Sequence, residues 1–272
     1  MKYLRHFLNA LFTILFTGYP YSRFSLLFDY LKINFRSVFH HKIGMKESDI
    51  IHTTILGYHI RFLNYAHLIN LLEEIFVLQV YRFHTSRNAP HIIDCGSNTG
   101  LSVLYFKKIF PDSHIIAFEP DTEAFSMLEF VVQRNNLTHI QLYNRALGNA
   151  EGETKLFRES PAALTATVFP SESIQFISAS TVKLSAILLE ETDLVKIDIE
   201  GSEIYVIEDL IKSNTINRTE TLIVEYHPRL TKIPLPEFIT RITAHGFICT
   251  KRKPTSKVMD PDYLLHFQKR KD

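Results

Sequence analysis

The chain has 272 residues, with 30 Lys and Arg against 29 Asp and Glu, which gives a formal net charge of +1. This balance argues against a nucleic-acid binder that works through bulk charge, because neutralising phosphates needs clustered excess cations. An apolar content of 46% excludes a disordered chain, and the two cysteines, Cys95 and Cys249, form neither a disulfide framework nor a four-ligand zinc site, which favours a reducing, cytoplasmic compartment.

Residues 1–89 are predicted to form a mainly helical appendage. Apolar side chains recur at three- and four-residue steps over residues 4–16 and predict an amphipathic helix. Alternating β-branched and polar residues at 50–64 predict a short hairpin. Leucine and isoleucine spacing over 66–83 predicts a helix that leads into the main domain.

The first helix leaves several interpretations open. The favoured one is a helix docked on the body of the same chain or on a second subunit in a homodimer. The second is peripheral contact of residues 1–42 with the inner face of a membrane, because the helix has a basic flank and aromatic residues. A secretory signal peptide is disfavoured, since no small-residue cleavage site follows and Asn9 interrupts the apolar stretch. No apolar run reaches the length of a bilayer-spanning helix.

Residues 90–272 are predicted to form the main domain, an α/β fold whose mostly parallel, seven-stranded sheet has an antiparallel terminal strand. Strands are predicted at 91–96, 114–120, 140–147, 193–201, 221–228, 247–253 and 263–270, with helices at 101–110, 122–136, 202–213 and 234–246. Residues 180–190 are predicted to hold a short strand and the start of a helix. Residues 153–180 break the periodicity and predict a loop that covers a ligand or is a plain surface excursion.

The most informative motif follows the first of these strands. Asp94, Gly96, Asn98 and Gly100 form a D-x-G-x-N-x-G turn, and an acidic residue in such a turn disfavours a pyrophosphate and favours a cationic ligand. Glu119 ends the next strand, where a carboxylate can accept both hydroxyls of a ribose. Together they suit a nucleoside with a positive amino-acid tail, such as S-adenosylmethionine. The alternatives are a turn acid for Asp94 and a solvated strand end for Glu119.

Four stretches of the chain resemble the FkbM-type family of S-adenosylmethionine-dependent methyltransferases. They read IIDCGSNTGLSVLYF, IIAFEPDTEAFSML, NRALGNAEGETKLF and LVKIDIEGSEIYVIEDL, and the resemblance covers roughly residues 90–270. It implies a Rossmann-like class I methyltransferase fold and methyl transfer to a hydroxyl. The acceptors it implies are sugars, including glycans and glycolipids, or polyketide-like natural products.

The resemblance also implies roles for particular residues. The loop around the methionine part of the cofactor would comprise Asp94, Gly96, Ser97, Asn98 and Gly100. Glu119 would hold the ribose, and residues 144–147, which include Asn144 and Ala146, would lie near the adenine. Beside the reacting methyl group, at one edge of the sheet, would lie Asp198, Glu200, Tyr226 and His227.

A sugar hydroxyl is a poor nucleophile, so a base should accept its proton as the new bond forms. Asp198 is the first candidate for that base and His227 the second, while Glu200 and Glu203 are expected to hold other hydroxyls of the acceptor. A divalent cation on Asp198 and Glu200 has no independent sign in the sequence, so no metal site is predicted. Two alternatives remain: a methyltransferase of a soluble small natural product, and a non-catalytic scaffold that retains the fold.

Overall fold

The computed structural model of the chain describes residues 2–43, 50–158, 166–167, 175–254 and 261–270. Their helices are α1 (Lys2–Phe16), α2 (Arg23–Ile43), α3 (Tyr65–Leu71), α4 (Leu101–Ile109), α5 (Thr122–Arg134), α6 (Glu203–Lys212), α7 (Pro228–Thr231) and α8 (Leu235–Thr243). Their strands are β1 (Ile51–Ile55), β2 (Tyr58–Phe62), β3 (His91–Cys95), β4 (His114–Phe118), β5 (Ile140–Tyr143), β6 (Ala146–Gly148), β7 (Gly152–Arg158), β8 (Ala166–Thr167), β9 (Gln175–Lys183), β10 (Thr192–Ile197), β11 (Thr219–Tyr226), β12 (Phe247–Pro254) and β13 (Tyr263–Lys269).

The main sheet has seven strands in the order β12-β13-β11-β10-β3-β4-β5. Strand β13 runs antiparallel to both β11 and β12, and the other neighbouring pairs are parallel. All six residues of β10 are buried, as expected for a central parallel strand covered by helices on both faces. The predicted seven-stranded α/β fold is therefore confirmed. Strands β3, β4 and β10 end side by side, which brings the residues that follow them to one edge.

A second sheet departs from the prediction. The strand predicted at 140–147 is two strands, since β5 closes the main sheet and β6 joins a four-stranded sheet in the order β6-β9-β7-β8. Strands β7 and β9 pair in antiparallel register from Gly152↔Thr181 to Arg158↔Gln175. The prediction of a loop over 153–180 is wrong for β7 and β9. Antiparallel pairing satisfies the backbone N–H and C=O groups of both strands, and it does not require regular side-chain periodicity. Residues 159–165 and 168–174 lie outside the described part of the chain.

The helix predicted to begin within 180–190 is a single 3₁₀ turn, Leu184–Ala186. The Ser185 backbone N–H and hydroxyl both donate to the Asp209 carboxylate of α6, each over 2.8 Å. This tertiary contact holds the segment against α6 instead of letting it continue as a helix, which is how Ser commonly competes with helix formation.

The helix predicted over 66–83 ends early. Asn64 caps α3 by accepting from the backbone N–H groups of Ala66 and His67, over 2.8 and 3.3 Å. The helix then widens into a π-helical segment, Leu72–Val77, which interrupts the regular i to i−4 ladder. The helical segment ends at Leu78, and the residues after it cross the carboxyl edge of the main sheet without forming a helix.

Helices α1 and α2 pack on the π-helical segment and on the main domain. One buried apolar cluster contains Ile14 of α1, Tyr30 of α2 and Phe106 of α4. The Tyr30 hydroxyl donates to Oε1 of Glu73 over 2.6 Å, and the Tyr19 hydroxyl donates to the carbonyl of Val77 over 3.0 Å. The appendage therefore shares its core with the main domain. Among the described residues, no helix combines the length and the apolarity needed to span a bilayer.

Candidate active site

The loop after β3 requires glycine at two places. Gly96 has φ of +85°, and a Cβ built on it would lie 1.8 Å from the carbonyl oxygen of Asp198, so no side chain is tolerated where β3 and β10 end side by side. Gly100 has φ of +92°, and its Cβ would lie 3.0 Å from Leu128 Cδ1 of α5. Both glycines therefore serve close packing within the protein, Gly96 at the sheet edge and Gly100 at the start of α4.

A cavity of about 280 Å³ opens at this edge of the sheet. Seven of the predicted site residues line it: Gly96, Ser97, Asn98, Glu119, Ala146, Asp198 and Glu200. Six other predicted residues do not line it: Asp94, Gly100, Asn144, Glu203, Tyr226 and His227. Leu156 of β7 also lines the cavity, so the hairpin of the second sheet contributes to its wall.

Asp94 was expected to contact the methionine part of a cofactor, and its position argues against that role. The side chain is fully buried, Ser102 donates to its Oδ2 over 2.5 Å, and the Lys196 ammonium lies 3.1 Å from its Oδ1. The same ammonium donates to the carbonyl of Gly96 over 2.6 Å. Asp94 therefore neutralises Lys196 beneath the loop, and it orients the loop through the hydrogen bond from Lys196 to Gly96.

Lys196 departs from the expected surface position of a strand lysine. Only 2% of its surface is exposed. Burial alone would lower the pKa of its ammonium, but the carboxylates of Asp94 and Asp198 outweigh burial and raise the pKa. Lys196 is therefore a fixed cation between these two acids.

Glu119 follows β4 and lines the cavity, and both of its carboxylate oxygens accept hydrogen bonds from the backbone. Its Oε2 accepts from the N–H of Asn98 and its Oε1 from the N–H of Asp121, each over 2.8 Å. Burial raises the pKa of Glu119 to about 8, although these two hydrogen bonds oppose the shift. The Asn144 amide donates to the carbonyl of Glu119 over 2.8 Å, so Asn144 positions this strand end from behind the cavity wall.

Asp198 lines the cavity and contacts two side chains, those of Tyr81 and Lys196. The phenol of Tyr81 donates to its Oδ2 over 2.9 Å, and the Lys196 ammonium lies 3.6 Å from the same oxygen. The Tyr81 ring also lies 5.1 Å from that ammonium, within cation–π distance. Asp198 thus faces the cavity with one oxygen already anchored.

His227 contacts two glutamates. Its Nδ1 lies 2.8 Å from Oε1 of the fully buried Glu203, and its Nε2 lies 3.5 Å from Oε2 of Glu200. Burial alone lowers the pKa of His227, but the hydrogen bond to Glu203 and the charges of Glu203 and Glu200 raise it to about 10. Both ring nitrogens of His227 thus lie near carboxylate oxygens, an arrangement that suits a residue that positions Glu200.

Glu200 lines the cavity in a strained conformation, with φ of +51°. Burial raises the pKa of its carboxyl to about 7, with the charge of His227 opposing the shift. Glu203 accepts from the Gly201 N–H over 2.9 Å and is fully buried, so it braces the turn after β10 and does not reach an acceptor.

Tyr226 was expected at the same edge, and this expectation is wrong. Its ring is fully buried against Phe238, with centroids 3.9 Å apart, and its hydroxyl donates to the carbonyl of Ile233 over 2.7 Å. The side chain therefore belongs to the core beneath α8, because alternate residues of a strand face opposite sides.

The cavity residues outside the sequence prediction include three titratable ones: Glu74 and Tyr81 from the N-terminal segment, and Glu225 of β11. Burial raises the pKa of Glu225 well above its usual range, and the neighbouring Asp198 adds to the shift. Glu225 had a sequence signal, since it lies two residues before His227 at the end of a predicted strand. Glu74 and Tyr81 had none, because they lie outside the family-like stretches.

Asp198, Glu200 and His227 each offer one ligand atom, and these three atoms lie within 4.8 Å of one another. Two carboxylates and one imidazole are a ligand set that a divalent cation can use. However, Asp198 already contacts Lys196 and Tyr81, and His227 carries a raised pKa, so protein groups supply positive charge at this point.

The seven-stranded sheet and the cavity at its carboxyl edge define a Rossmann-like methyltransferase fold. The profile of the Methyltransferase FkbM domain matches residues 94–249, and the chain belongs to this family. All the predicted site residues, from Asp94 to His227, fall within the matched range.

Two curated relatives are fungal. The chain is 26% identical over 162 residues to Methyltransferase 1 of Beauveria bassiana (strain ARSEF 2860), a match that covers 51% of this chain and 65% of the relative. It is 24% identical over 173 residues to Methyltransferase sdnD of Sordaria araneosa, covering 51% of this chain and 67% of that protein. The chain thus spans about two thirds of the length of these relatives.

Among solved structures, the chain is similar to methyltransferase FkbM from Methylobacillus flagellatus KT. The TM-score is 0.51 at 14% identity, and the match covers 97% of this chain and 59% of the other. At this identity the similarity shows a shared fold.

Proposed function

We propose that this chain is an S-adenosylmethionine-dependent O-methyltransferase that acts on a hydroxyl of a sugar, glycan or glycolipid. The observation that carries the proposal is a single cavity lined by two separate acids. Glu119 follows β4 and Asp198 follows β10, so these two acids line the cavity on either side of the loop that follows β3. A methyl donor and an acceptor must meet in one enclosed space, and this arrangement supplies it.

The residues present suit the proposed cofactor. Glu119 is a carboxylate at the end of the second strand of the fold, where it can accept hydrogen bonds from ribose hydroxyls. Phe118, Ala146 and Leu147 give the cavity an apolar wall suited to a purine. S-adenosylmethionine would supply a methyl group activated on a sulfonium, and the acidic lining of the cavity favours that cation.

Asp198 is the proposed base. Its Oδ2 is anchored by Tyr81 and Lys196, which fixes the direction of the carboxylate and leaves Oδ1 to accept the proton of an acceptor hydroxyl. Glu200 lies in the same lining and would bind a neighbouring hydroxyl of the acceptor. The protein would gain most of its rate from holding the acceptor oxygen about 3–3.5 Å from the methyl carbon.

Two other functions compete with this one. A methyltransferase of a soluble small natural product would use the same cavity with a different acceptor. A non-catalytic scaffold would have no need for Glu119 and Asp198 to face one cavity, which is why catalysis is favoured. The cytoplasmic location, the homodimer and the lack of nucleic-acid partners stay predictions from the sequence.

Calorimetry with S-adenosylmethionine, followed by transfer of a labelled methyl group to glycan and glycolipid extracts, tests the proposal. We expect saturable one-site binding, a raised melting temperature, and label in a base-stable ether. Absence of binding would refute the cofactor assignment. Binding without transfer to any hydroxyl-bearing extract, while a soluble amine or thiol is methylated, would refute the acceptor class.

A further inference from the structure

Helices α1 and α2 each present a stripe of large apolar side chains to solvent. On α1 the exposed residues are Leu4, Leu8, Phe12, Leu15 and Phe16, and on α2 they are Phe24, Phe28, Leu31, Phe35, Val38 and Phe39. Their exposed fractions range from 41% to 75%. Steps of three and four residues place each set on one helix face. We call these two sets the N-terminal apolar face.

The opposite sides of the same helices are already used for folding. Ala10 and Ile14 of α1 and Leu26 and Ile33 of α2 are buried in the shared core. The apolar surface of α1 is therefore wider than the side that packs on the core, and Arg5, His6, Asn9 and Thr13 occupy the remaining polar side. Contiguous apolar surface of this kind marks an interaction site in a folded protein.

A groove connects the two helices. Its apolar lining comes from Phe7 of α1 and from Phe28, Leu31, Phe35 and Val38 of α2. The groove adds an open apolar cleft to the α2 stripe, so the exposed surface is continuous at this point rather than a scatter of single side chains.

The charge of this region differs from that of the rest of the chain. Residues 1–43 contain six Lys and Arg and one acidic residue, Asp29, whereas the remaining residues contain 24 basic and 28 acidic ones. Asp29 is buried and forms an ion pair with Lys32. Arg5, Arg23 and Arg36 are exposed. Positive charge thus accompanies the apolar face, without exposed acidic groups among the described side chains of α1 and α2.

We propose that the N-terminal apolar face docks onto an anionic lipid surface, and that the acceptor of the methyl group is carried by a lipid. The second part rests on the proposed function. Apolar side chains enter the boundary between headgroups and acyl chains, and arginines at the edge contact anionic headgroups. A second copy of the chain suits this face less well, because a symmetric dimer would bring two positively charged surfaces together.

The docking face and the cavity are built on one segment of the chain. Tyr30 and Tyr19 hold the π-helical segment from the α1–α2 side through Glu73 and Val77. Glu74 of that same segment lines the cavity. A lipid surface that orders α1 and α2 would therefore also order the cavity wall, which explains why the appendage shares a core with the methyltransferase domain.

Flotation of the full chain with vesicles of equal parts phosphatidylcholine and phosphatidylglycerol tests the docking. We expect the protein to float with these vesicles, and flotation to fall steeply in pure phosphatidylcholine or at high salt. The variant Phe28→Ser/Phe35→Ser should lose at least about tenfold in partitioning. The matched control, Leu189→Ser/Ile248→Ser, removes exposed apolar side chains elsewhere and should float like the wild type.

Binding of S-adenosylmethionine, measured on the same variants, checks that they are folded. Lack of flotation with anionic vesicles would overturn the docking, and so would equal losses in the Phe28/Phe35 and control variants. Light scattering tests whether a second copy of the chain occupies the face instead. If the wild type is a dimer that does not float, and the Phe28→Ser/Phe35→Ser variant is a monomer, the face belongs to a second copy and the proposal is overturned.

Transfer of labelled methyl to a whole-cell extract, separated into organic and aqueous fractions, tests the acceptor class. We expect label in the organic fraction, and a loss of at least about tenfold in that transfer for Phe28→Ser/Phe35→Ser. Label confined to water-soluble glycans would overturn the lipid-borne acceptor. A chain that floats but does not bind S-adenosylmethionine would leave the docking standing and refute the proposed function, so the two failures are distinguishable.

Discussion

The phenol of Tyr81 donates a 2.9 Å hydrogen bond to Oδ2 of Asp198, a residue 117 positions further along the chain. This bond joins the N-terminal segment to the end of β10, inside the cavity. Tyr81 lies outside the matched family range of 94–249, yet it contacts the proposed base of the family domain. The appendage therefore contributes a side chain to the candidate active site.

Tyr81→Phe tests this bond as a positioning contact. A hydrogen bond to a charged group contributes about 1.5–3 kcal/mol, so we expect a fall in kcat of about 10-fold or more while the Kd for S-adenosylmethionine stays constant. A loss confined to kcat, with the melting temperature unchanged, would show that Tyr81 positions Asp198. A loss of melting temperature with unchanged kcat would mean that Tyr81 has a structural role only.

Asp198→Ala should abolish turnover while the affinity for S-adenosylmethionine stays within about tenfold, since Asp198 follows β10, two strands away from Glu119 at the end of β4. Because Lys196 and Tyr81 already hold this carboxylate, we also expect the wild type to keep its rate after treatment with a chelator. Near wild-type turnover of the variant would show that Asp198 is not the base. A rate lost on chelation and restored by Mn²⁺ would instead assign Asp198, Glu200 and His227 to a cation.

At a pH above about 8, where its carboxyl is ionised, Glu119→Gln should weaken S-adenosylmethionine binding by about 1.5–3 kcal/mol, because the amide loses charge-assisted hydrogen bonds to the ribose. Calorimetry measures this directly. The control is Glu153→Gln, an exposed glutamate of β7 at which we expect no change. Unchanged affinity in Glu119→Gln would remove the ribose role of this residue.

Glu119 also makes folding stability depend on pH. Burial raises its pKa to about 8 in the folded protein, whereas the unfolded chain has the ordinary value near 4.5. Between these two values the folded state binds the extra proton, so the contribution of Glu119 falls as pH rises from about 4.5 through about 8. We expect Glu119→Gln to flatten the pH dependence of the free energy of unfolding in this window. If the free energy of unfolding of the variant depends on pH in the same way as that of the wild type, the raised pKa of Glu119 is contradicted.

Lys196→Met tests the buried ion pair. Removal of the ammonium leaves Asp94, which has no exposed surface, without its cation, and breaking a buried pair costs about 3–5 kcal/mol. Urea denaturation should show this loss. The double variant Asp94→Asn/Lys196→Met should recover part of it, because no uncompensated charge remains. A double variant no more stable than Lys196→Met would show that the pair is not the source of the loss.

The sequence by itself determined the main domain. Buried strands that alternate with amphipathic helices specify a parallel sheet, and the D-x-G-x-N-x-G turn with Glu119 predicts where a ligand binds. These signals are local, since periodicity and turn chemistry depend on neighbours a few residues away. For that reason the seven strands and seven of the predicted cavity residues were found without coordinates.

Only the tertiary structure decided which polar groups meet. Asp94 lies behind the cavity because Lys196, on the adjacent strand, pairs with it. The pKa of His227 is raised because Glu203 lies 2.8 Å away across the turn after β10. Tyr81 reaches Asp198 because a π-helical segment ends its helix early. Such contacts join residues distant in the chain, and their charges and pKa values follow from burial and partners, which residue spacing does not encode.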